Sequence, residues 1–213
     1  MDQNSNLLKK AWFNLGLNKE FELVTLLDIE DKNIDVKEDT GDFEKDSIKK
    51  AVEYARAYEM ISISLDRGIE IPSLDNWPGT KTKEVFAGRE DVKFLYDSVD
   101  TSDQSAETEY GQDIYRSELL LRKIKEDRRV NSVYGIGIAL PDGSFASDIV
   151  IVKGTASDSL RITKLGYYYD RFFIPEGETR TLSELSEDEY LDYSSKVLWP
   201  ITPQIKEFLI NLA

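Results

Sequence analysis

Apolar residues recur along this chain at two spacings, and the places where the spacing changes divide it into elements. From Leu7 to Leu17 the run LLKKAWFNLGL sets them at helical intervals, and after a turn at Asn18 and Lys19 the stretch Phe21 to Ile29 (FELVTLLDI) predicts a strand. Glu30 to Asp42 is polar and acidic, contains Gly41 and predicts a loop. Ile48, Val52 and Ala55 then lie three or four apart on a second helix. Met60 to Leu65 (MISISL) alternates apolar and serine positions as a half-buried strand does, and Gly68 to Ile71 continues it past a bend.

Asn76 to Gly79 (NWPG) is turn chemistry, and the polar Thr101 to Glu109 predicts a surface connection. Asp113 to Lys125 predicts an amphipathic helix with Ile114, Leu120, Leu121 and Ile124 on its buried side. Two strong strands follow, Ser132 to Leu140 and Phe145 to Lys153, joined through Pro141, Asp142 and Gly143 as a hairpin. Thr181 with Glu184 three residues on forms a capping box that predicts a helix start, and Pro200 and Pro203 fix the start of a last amphipathic helix. Helices and strands interleave, so the expected class is α/β with a mixed sheet, because the hairpin must be antiparallel.

Composition narrows the chemistry. The 213 residues carry 27 Lys and Arg against 41 Asp and Glu, a formal charge of −14, with 40% hydrophobic and 11% aromatic residues, a balance that folds rather than stays disordered. There is no His, which excludes Ser-His-Asp systems and His-ligated zinc, and no Cys, which excludes disulfides and thiolate catalysis. Acid–base work falls to Asp, Glu, Lys or Tyr. The start MDQNSNLLKK has no apolar signal region and no stretch approaches about 18 apolar residues, so a cytoplasmic protein with no membrane partner is expected. The negative charge repels nucleic acid. The basic cluster Arg122, Lys123, Lys125, Arg128 and Arg129, broken by Glu126 and Asp127, reads as a solvated helix face.

Asp66, at the end of its predicted strand and before Arg67 and Gly68, occupies a place where a carboxylate either caps a turn or binds Mg²⁺ and orients water against phosphorus. Lys9, Lys49 and Lys50 are either phosphate-binding point charges or solvated helix lysines. Tyr167, Tyr168 and Tyr169, on an extended segment before Asp170, would project to alternate faces. They form either a core strand or a surface on which a nucleobase stacks.

In order, these pieces resemble the Ham1/inosine triphosphatase family of non-canonical purine nucleoside triphosphate pyrophosphatases. LGYYYDRFFIPEGETRTLSELSEDEYLDYSSK is similar to the family's GGFGYDPxFxPxGxxxTxAELSxEEKNxxSHR, keeping Gly166, Tyr169, Asp170, Phe173, Pro175, Gly177, Thr181, Glu184, Leu185, Ser186, Glu189 and Ser194 in register. YGIGIALPDGSF resembles its hairpin, EDTGDFEKDSIKKA its acidic loop and helix, SLDRGIEI its ADDSGL strand and NSNLLKKAWF its TGNxxKxxEF phosphate loop. The resemblance implies one Ham1-like domain over residues 1–213, with a twisted mixed sheet flanked by helices and two lobes about a central cleft. It implies hydrolysis of a nucleoside triphosphate, or a related pyrophosphate substrate, to monophosphate and pyrophosphate with Mg²⁺, by a homodimer. Position by position it implies Asp66 as catalytic base and metal partner, Asn6, Lys9 and Lys50 for the phosphates, and Tyr167, Tyr169, Asp170, Ser195 and Lys196 for the base.

The chain departs from the family pattern within those motifs. Lys45 stands where the family has its metal-binding Glu, with Glu44 adjacent as a replacement ligand. Leu65 and Arg67 replace the first Asp and the Ser of Asp-Asp-Ser-Gly, and Tyr190 replaces a late Lys. Ser194, Ser195 and Lys196 replace Ser-His-Arg. A divergent pyrophosphatase is therefore expected, with a catalytically silent nucleotide- or protein-binding relative as the alternative.

Overall fold

The computed structural model describes residues 9–10, 12–30, 32–85, 109–161, 167–197 and 201–212. The chain is α/β and contains a five-stranded sheet of order β2-β1-β3-β4-β5. Its strands are β1 (Ser62–Ile71), β2 (Trp77–Gly79), β3 (Arg129–Ala139), β4 (Phe145–Ala156) and β5 (Phe173–Pro175). The α-helices are α1 (Phe43–Tyr58), α2 (Glu109–Lys123), α3 (Glu187–Lys196) and α4 (Pro203–Ile210). β1 pairs antiparallel with β2, and β4 antiparallel with β5. The chain forms two compact units, one of Met1–Arg67, Val133–Ile151 and Glu189–Ala213, the other of Gly68–Ser132 and Val152–Asp188.

In the first unit, α1 begins because the Asp42 carboxylate accepts hydrogen bonds from the Glu44 and Lys45 amides at 3.0 and 3.1 Å, satisfying two of the orphan donors of a helix start. Its buried stripe is Ser47, Ala51 and Ala55, four apart, while Ile48 and Val52 are only half-buried. The smaller residues win because α1 lies directly on the backbone of β3. A Cβ on Gly137 would come 2.6 Å from the Ser47 carbonyl oxygen, and one on Gly135 would overlap the Phe43 carbonyl. The YGIGIAL pattern is thus a seat for a helix. Ala51 and Ala55 close that seat against Ala139, with Val52 at its edge.

β3 and β4 form the expected hairpin, each longer than its apolar pattern suggests. The Leu140 amide donates to the Ser144 carbonyl at 2.8 Å, the Asp142 carboxylate accepts from the Ser144 amide at 2.8 Å, and Gly143 takes a φ of +93°. α4 starts as predicted, on Pro203 behind the Thr202 cap.

Three local expectations are corrected. Phe21 to Ile29 forms no strand: residues 21–25 are irregular, and the Asp28 carboxylate closes a turn by accepting from the Thr25 amide and hydroxyl at 2.9 and 2.8 Å. β1 runs unbroken through Gly68, which is extended and buried, so Asp66 sits in mid-strand rather than at a strand end. At Asn76 to Gly79 the turn is carried by Asp75 and Asn76, at φ +54° and +61°, and Trp77–Gly79 becomes β2.

In the second unit, α2 starts four residues before its predicted Asp113 and buries Tyr115, Leu119 and Leu120, and Ile124 is buried just past its end. Thr181 and Glu184 form the predicted box, but it closes a 3₁₀ turn at Leu182–Glu184, and α3 begins only at Glu187. The Thr101 to Glu109 connection falls, up to residue 108, outside the described residues.

Candidate functional site

In the first unit α1 carries Lys50 and β1 carries Asp66. The helix seat on Gly135 and Gly137 fixes the height of α1, and Lys50 reaches from it to the strand. Its ammonium has three N–H donors and meets three acceptors. It donates to the Leu65 carbonyl at 3.0 Å, and it lies 3.4 Å from Asp66 Oδ1 and 3.3 Å from Glu38 Oε1. The Lys50 and Asp66 side chains are 13% and 5% exposed, Glu38 34%, so this cation holds one shielded and one accessible carboxylate. Next to it Lys49 pairs with Asp39 at 2.9 Å. The hydrogen bond and charge of Lys49 hold the Asp39 carboxyl below the usual range.

Glu38 went unrecognised in the sequence because it lies in a polar loop twelve residues before its partner. The available signal was the consecutive acids Glu38 and Asp39 ahead of a helix bearing consecutive lysines.

The first turn of α1 holds the remaining acids. Glu44 Oε1 accepts from the Ser147 hydroxyl of β4 at 2.8 Å, and Lys45, 70% exposed, lies 3.3 Å from its own N-cap Asp42. Asp42 is held below the usual carboxylate range, first by the Lys45 amide. Asp46 is buried: one oxygen accepts from the Thr40 amide at 3.2 Å and the other has no hydrogen-bond partner. Among the described residues no three Asp, Glu, His or Cys side chains converge as a metal cage. Asp66 faces an ammonium and Glu44 a serine hydroxyl, so no cage made of carboxylates alone is formed there.

Other predicted residues make contacts of their own. Asn6 is outside the described residues. Lys9 is half-exposed and pairs with Asp28 at 3.7 Å. The Ser195 hydroxyl donates to the Asp192 carbonyl at 2.8 Å on α3, and Lys196 is exposed in the last turn of that helix.

Tyr167, Tyr169 and Asp170 belong to the second unit, and their segment is not extended. Tyr168–Arg171 is a 3₁₀ turn, because the Asp170 carboxylate reaches back to accept from the Tyr167 amide at 2.8 Å. Tyr169 is fully buried, stacked on Tyr167 with centroids 5.9 Å apart and edge-on to Tyr168 at 5.4 Å. The Tyr168 hydroxyl donates to the Thr82 carbonyl at 2.7 Å, and burial pushes its pKa up. Ser117 of α2 donates to the Tyr168 carbonyl. Tyr167 is the ring of the three that keeps partial exposure. The expected pairing of Tyr167 with Tyr169 is therefore present, but on a turn.

The family model described as the Ham1 family matches residues 5–197. The chain belongs to the Ham1 family. Among curated Ham1 relatives, a dITP/XTP pyrophosphatase of Elusimicrobium minutum is 28% identical over 201 residues, 91% of this chain and 89% of that protein. One of Acholeplasma laidlawii is 31% identical over 165 residues, covering 76% and 70%. Among solved structures, a nucleoside-triphosphatase/dITP/XTP pyrophosphatase of Mycobacterium abscessus aligns over 96% of this chain and 92% of its own, with TM-score 0.63 and 22% identity. The Ham1 protein of Staphylococcus aureus aligns over 96% and 93%, with TM-score 0.61 and 21% identity. At these identities the structural matches bear on the fold of this Ham1 chain.

Proposed function

We propose that this Ham1-family chain hydrolyses a nucleoside triphosphate, of the non-canonical purine class, to nucleoside monophosphate and pyrophosphate. The observation that carries this reading is the contact of Lys50 with Asp66, an ammonium and a carboxylate held together on a helix and a strand. The names of the dITP/XTP pyrophosphatase relatives support the substrate class. In the proposed reaction Asp66 accepts the proton of a water that attacks the α-phosphorus. The new P–O bond forms as the bond to the bridging oxygen breaks, and pyrophosphate leaves with that oxygen. Lys50 offsets charge that develops on the phosphate oxygens. No step is routed through Mg²⁺.

Stacking of the base on Tyr167 belongs to the same proposal and rests on the partial exposure of that ring. So do the phosphate role of Lys9 and the base roles of Tyr169, Asp170, Ser195 and Lys196. A single functional domain over residues 1–213 and a homodimer rest on the resemblance, and a cytoplasmic location on the lack of any stretch approaching about 18 apolar residues. Among the described residues no helix is long and apolar enough to cross a membrane.

The test is pyrophosphate release from dITP, XTP, ITP, ATP and GTP, with Asp66→Asn as control. Turnover of at least one substrate, lost in Asp66→Asn, is expected. A rise in melting temperature with nucleotide but no turnover would instead assign the chain as a silent nucleotide-binding relative. One observation favours that second reading: the Lys50 ammonium already hydrogen-bonds the Leu65 carbonyl and Asp66 and pairs with Glu38 within the protein.

A further inference from the structure

Residues 32–42, which lead into α1, lie back along that helix as a strap in the first unit. Near the C-terminal end of α1 the Lys32 amide donates to the Tyr58 hydroxyl at 3.0 Å. At the other end the Thr40 amide donates to Asp46 Oδ1 at 3.2 Å, and Asp42 caps the first turn. Between these ends Glu38 meets Lys50 at 3.3 Å and Asp39 meets Lys49 at 2.9 Å. The strap is thus antiparallel to α1, hydrogen-bonded at both ends and held through ion pairs in the stretch before Thr40.

None of residues 32–41 that the structure describes is buried. The strap therefore adds little to the core, and bowing its centre outward breaks polar contacts rather than packing. The Lys49 and Asp39 side chains are 37% and 64% exposed, and an exposed ion pair contributes at most about 1 kcal/mol. An anion of higher charge displaces such a carboxylate at little cost.

The order of the charges selects the anion. Glu38 and Asp39 are consecutive, and so are Lys49 and Lys50, so two linked negative groups sit on two neighbouring ammoniums. A chain of phosphoryl groups has the same form, with more acceptor oxygens and more charge per group than a carboxylate. A single phosphate replaces one acid and leaves the other pair in place, whereas a polyphosphate replaces both.

We infer that Lys49 is a polyphosphate-binding residue beside Lys50, and that Glu38 and Asp39 occupy this pair of ammoniums in the free protein until a polyphosphate chain displaces them. The resemblance gives Lys49 no role. The inference rests on the proposed activity for the part of Lys50, and it adds a second contact for the triphosphate together with the internal competitor that the triphosphate must move.

The experiment measures binding of inorganic tripolyphosphate to the full chain by calorimetry at low salt. The parent should bind it saturably, and Lys49→Gln should weaken binding at least five-fold. Asp39→Asn should tighten it by about two- to five-fold, the range of an exposed pair, and that gain should vanish in Lys49→Gln/Asp39→Asn. Asp35→Asn, the same change of charge at another exposed position of the strap, should alter binding by less than about 1.5-fold, since a distant surface charge is screened. The inference is overturned if the parent does not bind, if Lys49→Gln binds as the parent does, or if Asp39→Asn gains no more than Asp35→Asn. Nucleotide turnover separates it from the proposed activity. Pyrophosphate release with an unchanged KM in Lys49→Gln would remove the inference and leave the activity standing. Tripolyphosphate binding that depends on Lys49, with no nucleotide turned over, would do the reverse.

Discussion

Lys50 Nζ lies 3.4 Å from Asp66 Oδ1 and donates at 3.0 Å to the carbonyl of Leu65, the residue just before that aspartate. One ammonium therefore grips both the backbone and the side chain of β1. Removing it takes the cationic partner from a nearly buried carboxylate, whereas removing the carboxylate leaves Lys50 two acceptors. Lys50→Met should cost roughly 3 kcal/mol of stability. The double variant Lys50→Met/Asp66→Asn should be more stable than Lys50→Met alone, a non-additivity that urea unfolding of the four proteins will read. Strict additivity would show that the contact carries no energy.

Glu38 is the most accessible acceptor on Lys50. A phosphate oxygen that engages this ammonium must displace one of its partners, and the half-solvated carboxylate is the least costly to move. Glu38→Gln should therefore lower KM for the nucleotide by about two- to five-fold, the range of an exposed ion pair, with kcat unchanged. A rise in KM would mean that Glu38 holds Lys50 in place for the substrate instead of competing with it.

Gly137 admits no side chain, since a Cβ there would stand 2.6 Å from the Ser47 carbonyl oxygen. Gly137→Ala should destabilise the protein by about 1–3 kcal/mol, the cost of overpacking a close contact, read as a fall in the urea midpoint. A midpoint equal to the parent's would mean that α1 can lift from β3 freely.

The Glu184 carboxylate accepts from the Thr181 amide at 2.8 Å and its hydroxyl at 2.9 Å, and lies 3.1 Å from Arg161. The Thr181 amide first, then the hydroxyl and Arg161, hold its pKa below the ordinary glutamate value. A depressed folded-state pKa gives stability that is present above the unfolded value of about 4.3 and is lost as pH falls through the lower folded one. Glu184→Gln should flatten the decline in melting temperature below about pH 4.3. Thr181→Ala should cost about 1 kcal/mol at neutral pH. An unchanged acid limb in Glu184→Gln would show that the box does not set it.

What the sequence disclosed and what it hid follow the range of the interactions. The Asp42 cap, the Asp142–Gly143 hairpin and the Thr181–Glu184 box are closed by residues within three or four positions, so their spacing is visible in the string. Lys50 meeting Asp66 was legible only through motif order, because sixteen residues separate them and neither position is unusual by itself. Glu38 had no such motif. Asp170 misled in the opposite way: three tyrosines in a row suggest an extended segment, but the acid three residues after Tyr167 closes a turn on its amide. Phe21 to Ile29 has the composition of a strand, but composition reports a preference for burial, whereas pairing depends on a neighbour in space.

Helix α1 rests on bare main chain at Gly135 and Gly137, with no layer of side chains between them. A contact of that kind has no cushion: it cannot be retuned by exchanging one rotamer or one methyl group for another. Lineages of this fold can rewrite what stands at position 50 or 66, but they have little freedom to slide one position past the other, so divergence of chemistry here must proceed by replacing groups where they stand.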